Sequence, residues 1–155
     1  MASPVAHSIN AILTQARDEI RANMQAQNIN ASGRTSAALQ VVQRGTKIEL
    51  IKEEGQNAPF QTLQYGRAGG KVPVGFYYII KQWTLDKGLQ FANETERGTF
   101  AYFTARKIAR EGTQRHEMPN EQVYSEPIKK ATEDVAKVVR DYVLASVSAT
   151  IKANF

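Results

Sequence analysis

Apolar residues recur at helical spacing near both ends of this 155-residue chain, and the two long helices they predict leave only its middle for other structure. The first helix is predicted over residues 4–27, with Ser3 as its N-cap and Pro4 as its first residue. The last helix is predicted to begin at a capping Ser125, with Pro127 in its first turn. Its expected buried stripe is Ile128, Ala131, Val135, Val138, Val139 and Tyr142.

The periodicity changes after the first helix. Residues 39–42 and 47–50 alternate between apolar and polar side chains, and a short glycine turn at residues 44–46 separates them, which predicts a β-hairpin. A third strand is predicted at Phe60–Tyr65, after a loop at residues 53–59. Three antiparallel strands with one apolar face need a helix to cover that face.

Two shorter helices rich in aromatic residues are predicted between the hairpin and the last helix. The first starts at Pro73 and ends at Asp86-Lys87-Gly88; the second starts at an Asn93–Glu96 capping box and ends at Gly112. The side chains expected to face inward are Phe76, Ile79, Ile80 and Trp83 in the first helix, and Phe100, Phe103, Thr104 and Ile108 in the second. Tyr77, Tyr78 and Tyr102 are expected nearer the exposed faces. The fold class is therefore α+β, in a single domain over residues 1–155.

Positive charge is concentrated in the middle of the chain. Residues 55–116 contain nine lysines and arginines against four acidic residues, a balance equal to the +5 of the whole chain. A local basic surface attracts anionic partners such as nucleic acid or an acidic protein face, although the same charge also serves solubility.

A glycine-rich loop at residues 66–72 lies within this basic segment. It carries Gly66, Arg67, Gly69, Gly70 and Lys71, which we assign as a surface facing DNA or a protein partner. The loop is not a phosphate-binding P-loop, because Lys71 is followed by Val72 and Pro73 instead of Ser or Thr. We expect a flexible loop that becomes ordered on a partner.

Candidates for catalysis are few. The chain has no cysteine, which excludes disulfides, thiolate metal ligands and a cysteine nucleophile. His7 and His116 have no metal-ligand spacing. We therefore predict that the chain is not an enzyme and binds no cofactor or metal.

Candidate interface residues fall in two groups. The cations Arg106, Lys107 and Arg110 are predicted to face the acids Glu133 and Asp134 of a neighbouring subunit. The segment 145–155 is weakly charged but keeps apolar residues four apart, so we expect it to dock on a neighbour. Those apolar residues are Val147, Ile151 and Phe155.

Short motifs along residues 9–143 resemble the head–tail connector and tail-completion proteins of bacteriophages, and most closely the neck proteins of phages that infect Bacteroidetes, the crAss-like group included. The motifs are Asn30-Ala-Ser-Gly-Arg-Thr-Ser36, Tyr65-Gly66-Arg67, Ile80-Lys-Gln-Trp83, Asp86-Lys-Gly88 and Ile108-Ala-Arg-Glu-Gly-Thr113. The chain departs from the broader family at residues 118–126, where an aromatic-Gly-Thr element and an Arg-Pro-rich stretch are replaced by Met-Pro-Asn-Glu-Gln-Val-Tyr-Ser-Glu.

This resemblance implies a structural virion protein in the phage neck. It would form a homo-oligomeric ring, dodecameric in such families, that joins the portal and capsid to the tail, contacts other neck or tail proteins and surrounds the DNA passage.

Two alternatives remain. A stand-alone nucleic-acid-binding module would bind DNA as a monomer with a steep salt dependence. A small hydrolase or nuclease would need Glu94, Glu96 and Glu111 around one metal-sized cleft. No apolar run approaches the length of a membrane span, and the first residues lack a secretory signal, so we expect synthesis in the host cytoplasm and a final place in the virion.

Overall fold

The computed structural model of the chain describes residues 3–29, 33–52, 60–117 and 121–154, and it confirms an α+β fold. Seven α-helices and one two-stranded antiparallel sheet are found in these ranges. The loop predicted at residues 53–59 lies outside them.

Helix α1 (Pro4–Ala26) starts as the sequence predicts. The Ser3 side chain accepts a hydrogen bond of 3.2 Å from the Ala6 amide, and proline occupies the first turn. Ile20 and Met24 on its inner face are fully buried and pack with Leu39 and Val123 in the first apolar cluster.

The predicted hairpin is also confirmed. After a short helix α2 (Arg34–Ala37), strands β1 (Leu39–Arg44) and β2 (Lys47–Lys52) pair in register, with Val41 opposite Leu50. Arg21 of α1 fixes the start of the hairpin, because its guanidinium donates to the carbonyls of Ser36 and Leu39 at 2.9 and 2.8 Å.

The third strand is wrong: Phe60–Tyr65 forms helix α3. Three apolar residues in a six-residue segment do not decide between a strand and a helical turn, and here the helix brings the Gln64 side chain to the start of the last helix. Gln64 is fully buried, and its Oε1 accepts from the amides of Tyr124 and Ser125 at 3.2 and 3.0 Å. Gln64 therefore satisfies these amides at the start of the last helix.

Helix α4 (Phe76–Asp86) begins three residues later than predicted, after Gly75 in a left-handed conformation. Its inner face carries Ile80 and Thr84, which are buried. The expectation that Ile79 and Trp83 face inward is wrong, since these side chains are 52% and 38% exposed. Phe76, which precedes Ile80 by one helical turn, packs as predicted against a second apolar cluster, formed by Ile80, Ala101 and Ala105.

Helix α5 (Glu94–Glu111) begins at the predicted capping box, in which the Asn93 side chain accepts from the Glu96 amide at 2.9 Å. Ala101 and Ala105 lie at its contact with α4, because small side chains let two helix backbones approach closely. Phe100 and Phe103 are 40% and 62% exposed, so their assignment to the core is wrong.

The remaining inner positions of these two helices follow the predicted pattern more closely. Ile108 packs against the second apolar cluster, which centres on Ile80, and Thr104 is half-buried. Tyr77 also packs against this cluster, so its expected place nearer the exposed face is wrong. Tyr78 and Tyr102 are exposed, as predicted. A 3.1 Å ion pair between Arg34 of α2 and Asp86 of α4 is one of the polar contacts that join the α4–α5 pair to the rest of the described chain.

After a short helix α6 (Gln114–Glu117) and a 3-10 turn at Glu121–Val123, helix α7 (Ser125–Asn154) packs along α1. With 30 residues against 23, it is about 45 Å long where α1 is about 35 Å. Ala131 is buried and Val135 and Val138 are half-buried, but every residue from 139 to 152 is exposed. The predicted burial of Ile128, Val139 and Tyr142 is therefore wrong.

Candidate assembly surfaces

The glycine-rich loop is fastened to the end of α5. The Arg67 carbonyl accepts from the Thr113 amide at 2.8 Å, and the Arg67 amide donates to the Thr113 side chain at 2.8 Å. Further along, the Gly70 amide donates to the Ala109 carbonyl at 2.7 Å. The expectation of a loop that needs a partner to become ordered is therefore wrong for this part of it, because its backbone is bonded within the subunit.

The glycines are required by a close backbone crossing. Gly66 and Gly112 have φ of 68° and 84°, and a Cβ on either would overlap backbone atoms of the opposite segment. A Cβ on Gly69 would lie 2.5 Å from the Arg110 carbonyl oxygen. Glycine at these positions thus serves the packing of the loop on α5.

The structure separates the two cations of the loop. The Arg67 guanidinium lies over the Phe76 ring, 5.6 Å from its centroid, and donates to the Lys71 carbonyl. Its Nε is buried without a hydrogen-bond partner within the described residues. Gly66 and Arg67 are half-buried, whereas Gly69, Gly70 and Lys71 are exposed. The Arg67 side chain therefore packs within the loop, and of the two cations Lys71 is the one that a partner can contact.

The outer face of α5 carries the predicted interface cations. Arg106, Lys107 and Arg110 are all exposed there, beside the exposed aromatic rings of Tyr102 and Phe103. The Arg106 guanidinium lies 5.7 Å from the centroid of the Tyr102 ring and donates to its hydroxyl at 3.3 Å. This mixture of cations and exposed aromatic area suits a contact with an anionic partner.

The three glutamates of the nuclease alternative have separate structural roles. Glu94 forms a 2.9 Å ion pair with Lys81, whose ammonium group lowers the pKa of the Glu94 carboxyl. Glu96 accepts from the Ala92 amide at 2.7 Å, and a hydrogen bond from Arg110 lowers the pKa of Glu111. Within residues 3–29, 33–52, 60–117 and 121–154, no three His, Asp or Glu side chains lie close enough to hold one metal ion.

The predicted interface residues of α7 lie on its surface. Glu133 and Asp134 are exposed on the half of the helix that packs along α1. Val147 and Ile151 are 50% and 54% exposed on the half beyond α1. Phe155 lies outside the described residues.

An apolar groove between α1, β2 and α7 was not predicted from the sequence. Its volume is about 290 Å³, and its walls are Ile9, Leu13, Ile48, Leu50, Ile128 and Val135. We call it the α1–β2–α7 groove. The alternation in β2 indicated an apolar sheet face, but the two-stranded sheet leaves part of that face uncovered.

None of the helices in the described ranges combines the length and the apolar character needed to cross a bilayer. The chain matches no protein-family model, no curated protein and no solved structure.

Proposed function

We propose that this chain is a non-enzymatic structural subunit of a bacteriophage neck, where it forms a homo-oligomeric ring that joins the portal to the tail and surrounds the DNA passage. The proposal takes the ring, its partners and its place in the virion from the motif resemblance described above. The structure contributes an independent reason to expect assembly.

That reason is the outer half of α7. Each residue from 139 to 152 is exposed, and these residues include Val143, Leu144, Val147 and Ile151. Large apolar side chains clustered on a soluble surface mark sites that another molecule covers. A helix that extends past its partner within the subunit, with such a surface, is suited to contact a neighbouring subunit.

The charge distribution supports pairing between different faces of neighbouring copies. The outer face of α5 presents Arg106, Lys107 and Arg110, and α7 presents Glu133 and Asp134. Contacts between different faces are heterologous, and heterologous contacts generate rings when the rotation closes.

Charge reversal on α7 tests this pairing. The double variant Glu133→Lys, Asp134→Lys is expected to weaken self-association at least about tenfold, because attraction across the interface becomes repulsion. Both side chains are exposed, so the fold should be retained. Analytical ultracentrifugation measures the association and circular dichroism the helix content.

The matched control is Glu133→Asp, Asp134→Glu, which keeps both charges in place. If the reversed variant associates like this control at physiological salt, these acids are not at a subunit contact.

A second candidate, a stand-alone nucleic-acid-binding module, is favoured by one observation: exposed aromatic rings and cations share the outer face of α5. In the ring proposal, contacts with DNA are non-specific and weak, so DNA can move past the subunit. In the alternative, the monomer binds DNA at physiological salt.

The variant Arg106→Glu, Lys107→Glu separates these functions. The ring proposal predicts that the parent monomer binds DNA only at low salt, and that this variant reduces the slope of log affinity against log salt by about 0.9 for each phosphate that the protein no longer neutralises. A matched control, Arg44→Glu, Lys47→Glu, makes the same charge change at the hairpin turn and should leave the slope unchanged. Tight binding by the parent monomer at physiological salt, abolished only by the α5 variant, would favour the module. Fluorescence anisotropy with labelled duplex DNA measures both.

A further inference from the structure

A second cavity lies where α4 meets the elements that pack in the first apolar cluster. Its volume is about 240 Å³, and we call it the Trp83 pocket. The indole of Trp83 and the side chains of Ile29 and Leu63 form apolar walls, and the latter two also pack against the first cluster. Lys87 and Arg115 contribute two cations. Within the part of the chain that the structure describes, no acidic side chain lines this pocket.

Neutral oxygens at the end of α1 hold both cations in place. The Lys87 ammonium group donates to the backbone and side-chain oxygens of Asn28. The Arg115 guanidinium donates to Oε1 of Gln27 at 3.0 Å. Because Gln27 and Asn28 are consecutive, the two cations are brought to the same part of the pocket, where like charges repel each other. An anion that binds there relieves this repulsion.

Arg115 has donors to spare for such an anion. A guanidinium carries five N–H groups, and one of the two terminal nitrogens of Arg115 finds its acceptor, the neutral Gln27 amide, among the described residues. The side chain is half-buried, so its position is fixed before a ligand arrives. Paired hydrogen bonds from a guanidinium to a carboxylate are among the strongest that proteins form.

The size and the walls of the pocket restrict the rest of the ligand. A volume of about 240 Å³ exceeds the roughly 150 Å³ of an apolar cavity that binds benzene. It falls below the roughly 300–1,000 Å³ of pockets for drug-sized molecules. One ring with one small charged group fits this range. Trp83 is 38% exposed, so its indole has area left for contact with a ring.

We propose that the Trp83 pocket binds a small aromatic carboxylate, with the ring packed against Trp83 and the carboxylate bound by Arg115 and Lys87. The ligand contacts α4 and the end of α1 together, and it therefore stabilises the placement of the α4–α5 pair on the rest of the subunit. This binding goes beyond the proposed assembly, because neither the outer face of α5 nor any residue of α7 lines the pocket.

The fluorescence of Trp83 tests the proposal directly, because it is the single tryptophan of the chain. The intact chain is titrated with benzoate, with its neutral analogue benzamide and with acetate, which lacks the ring. We expect a saturable response to benzoate and at least about tenfold weaker binding of the other two, since benzamide loses the charge and acetate the ring contact. A response to benzoate that does not saturate, or equal affinities for benzoate and benzamide, would overturn the proposal.

A variant locates the carboxylate. Arg115→Gln removes the cation but keeps an amide that can donate to Gln27, and it is expected to weaken benzoate binding at least about tenfold. Arg44→Gln makes the same change at an exposed position of the hairpin and should leave the affinity unchanged. Circular dichroism shows whether each variant keeps its helix content.

Equal benzoate affinities of these two variants would contradict the proposed site and leave Lys87 and Arg115 as cations that stabilise the C-terminal end of α1. The comparison of benzoate with benzamide uses the unaltered chain, so it decides the proposal even if Arg115→Gln loses helix content.

Discussion

Replacing Gly66 with alanine is expected to lower the free energy of unfolding by about 3 kcal/mol or more. The left-handed backbone at φ 68° costs a residue with a Cβ about 1–2 kcal/mol. The new methyl group would also overlap the backbone of Arg115 and His116, and overpacking of this kind costs about 1–3 kcal/mol more. Chemical denaturation monitored by circular dichroism measures the loss.

Gly45 provides the control for this variant. Its φ is 63°, close to that of Gly66, but no atom lies within 4 Å of a Cβ built there. Gly45→Ala should therefore cost only the backbone strain, about 1–2 kcal/mol. Equal losses for the two variants would show that the glycine-rich loop is not packed against residues 113–116.

Replacing Ile80 with alanine is expected to cost about 2–5 kcal/mol, the usual range for truncating a buried aliphatic side chain to alanine. Ile80 is at the centre of the second apolar cluster, against Ala101 and Ala105 of α5. The loss should appear in the α4–α5 pair first, because the apolar cluster of that pair shares no residue with the first cluster. Hydrogen exchange of the α5 amides locates the effect.

The neighbouring residue is a matched control. Ile79→Ala makes the same chemical change at a side chain that is 52% exposed, and surface substitutions usually alter stability by less than about 0.5 kcal/mol. A larger loss of stability for Ile79→Ala than for Ile80→Ala would mean that the face of α4 that carries Ile79, and not the face that carries Ile80, packs against α5.

Local signals predicted much of this fold. Ser3 with Pro4, and Asn93 with Glu96, mark helix starts that depend only on neighbouring residues, and both were predicted correctly. The hairpin followed in the same way from alternation on either side of Gly45. Such features are readable because each is decided within a few residues of chain.

Tertiary contacts decided the rest. Phe60–Tyr65 is a helix because it packs in the first cluster and Gln64 bonds the start of α7, 60 residues away. On α5, the position of α4 selects Ala101 and Ala105 for the interior and leaves Phe103 outside. Hydrophobicity alone predicts that Phe103 is buried in preference to the alanines, because a hydrophobicity scale contains no information on how closely two helices approach.

The candidate site was predicted only in part. The exposure of Arg106, Lys107 and Arg110 agrees with an interface role that remains a prediction. The packing of Arg67 on Phe76 could not be read from the sequence, because it depends on the crossing of the loop over α5. The α1–β2–α7 groove likewise arises only when three separate elements meet.

Cryo-electron microscopy of the purified, concentrated chain is the sharpest test of the proposed ring, since it shows whether the copies form a ring and which surfaces meet. The proposed assembly is a closed ring with rotational symmetry, in which the outer face of α5 of each subunit contacts α7 of the next. Particles that remain single subunits at every concentration, or twofold pairs that cannot extend into a ring, would contradict it.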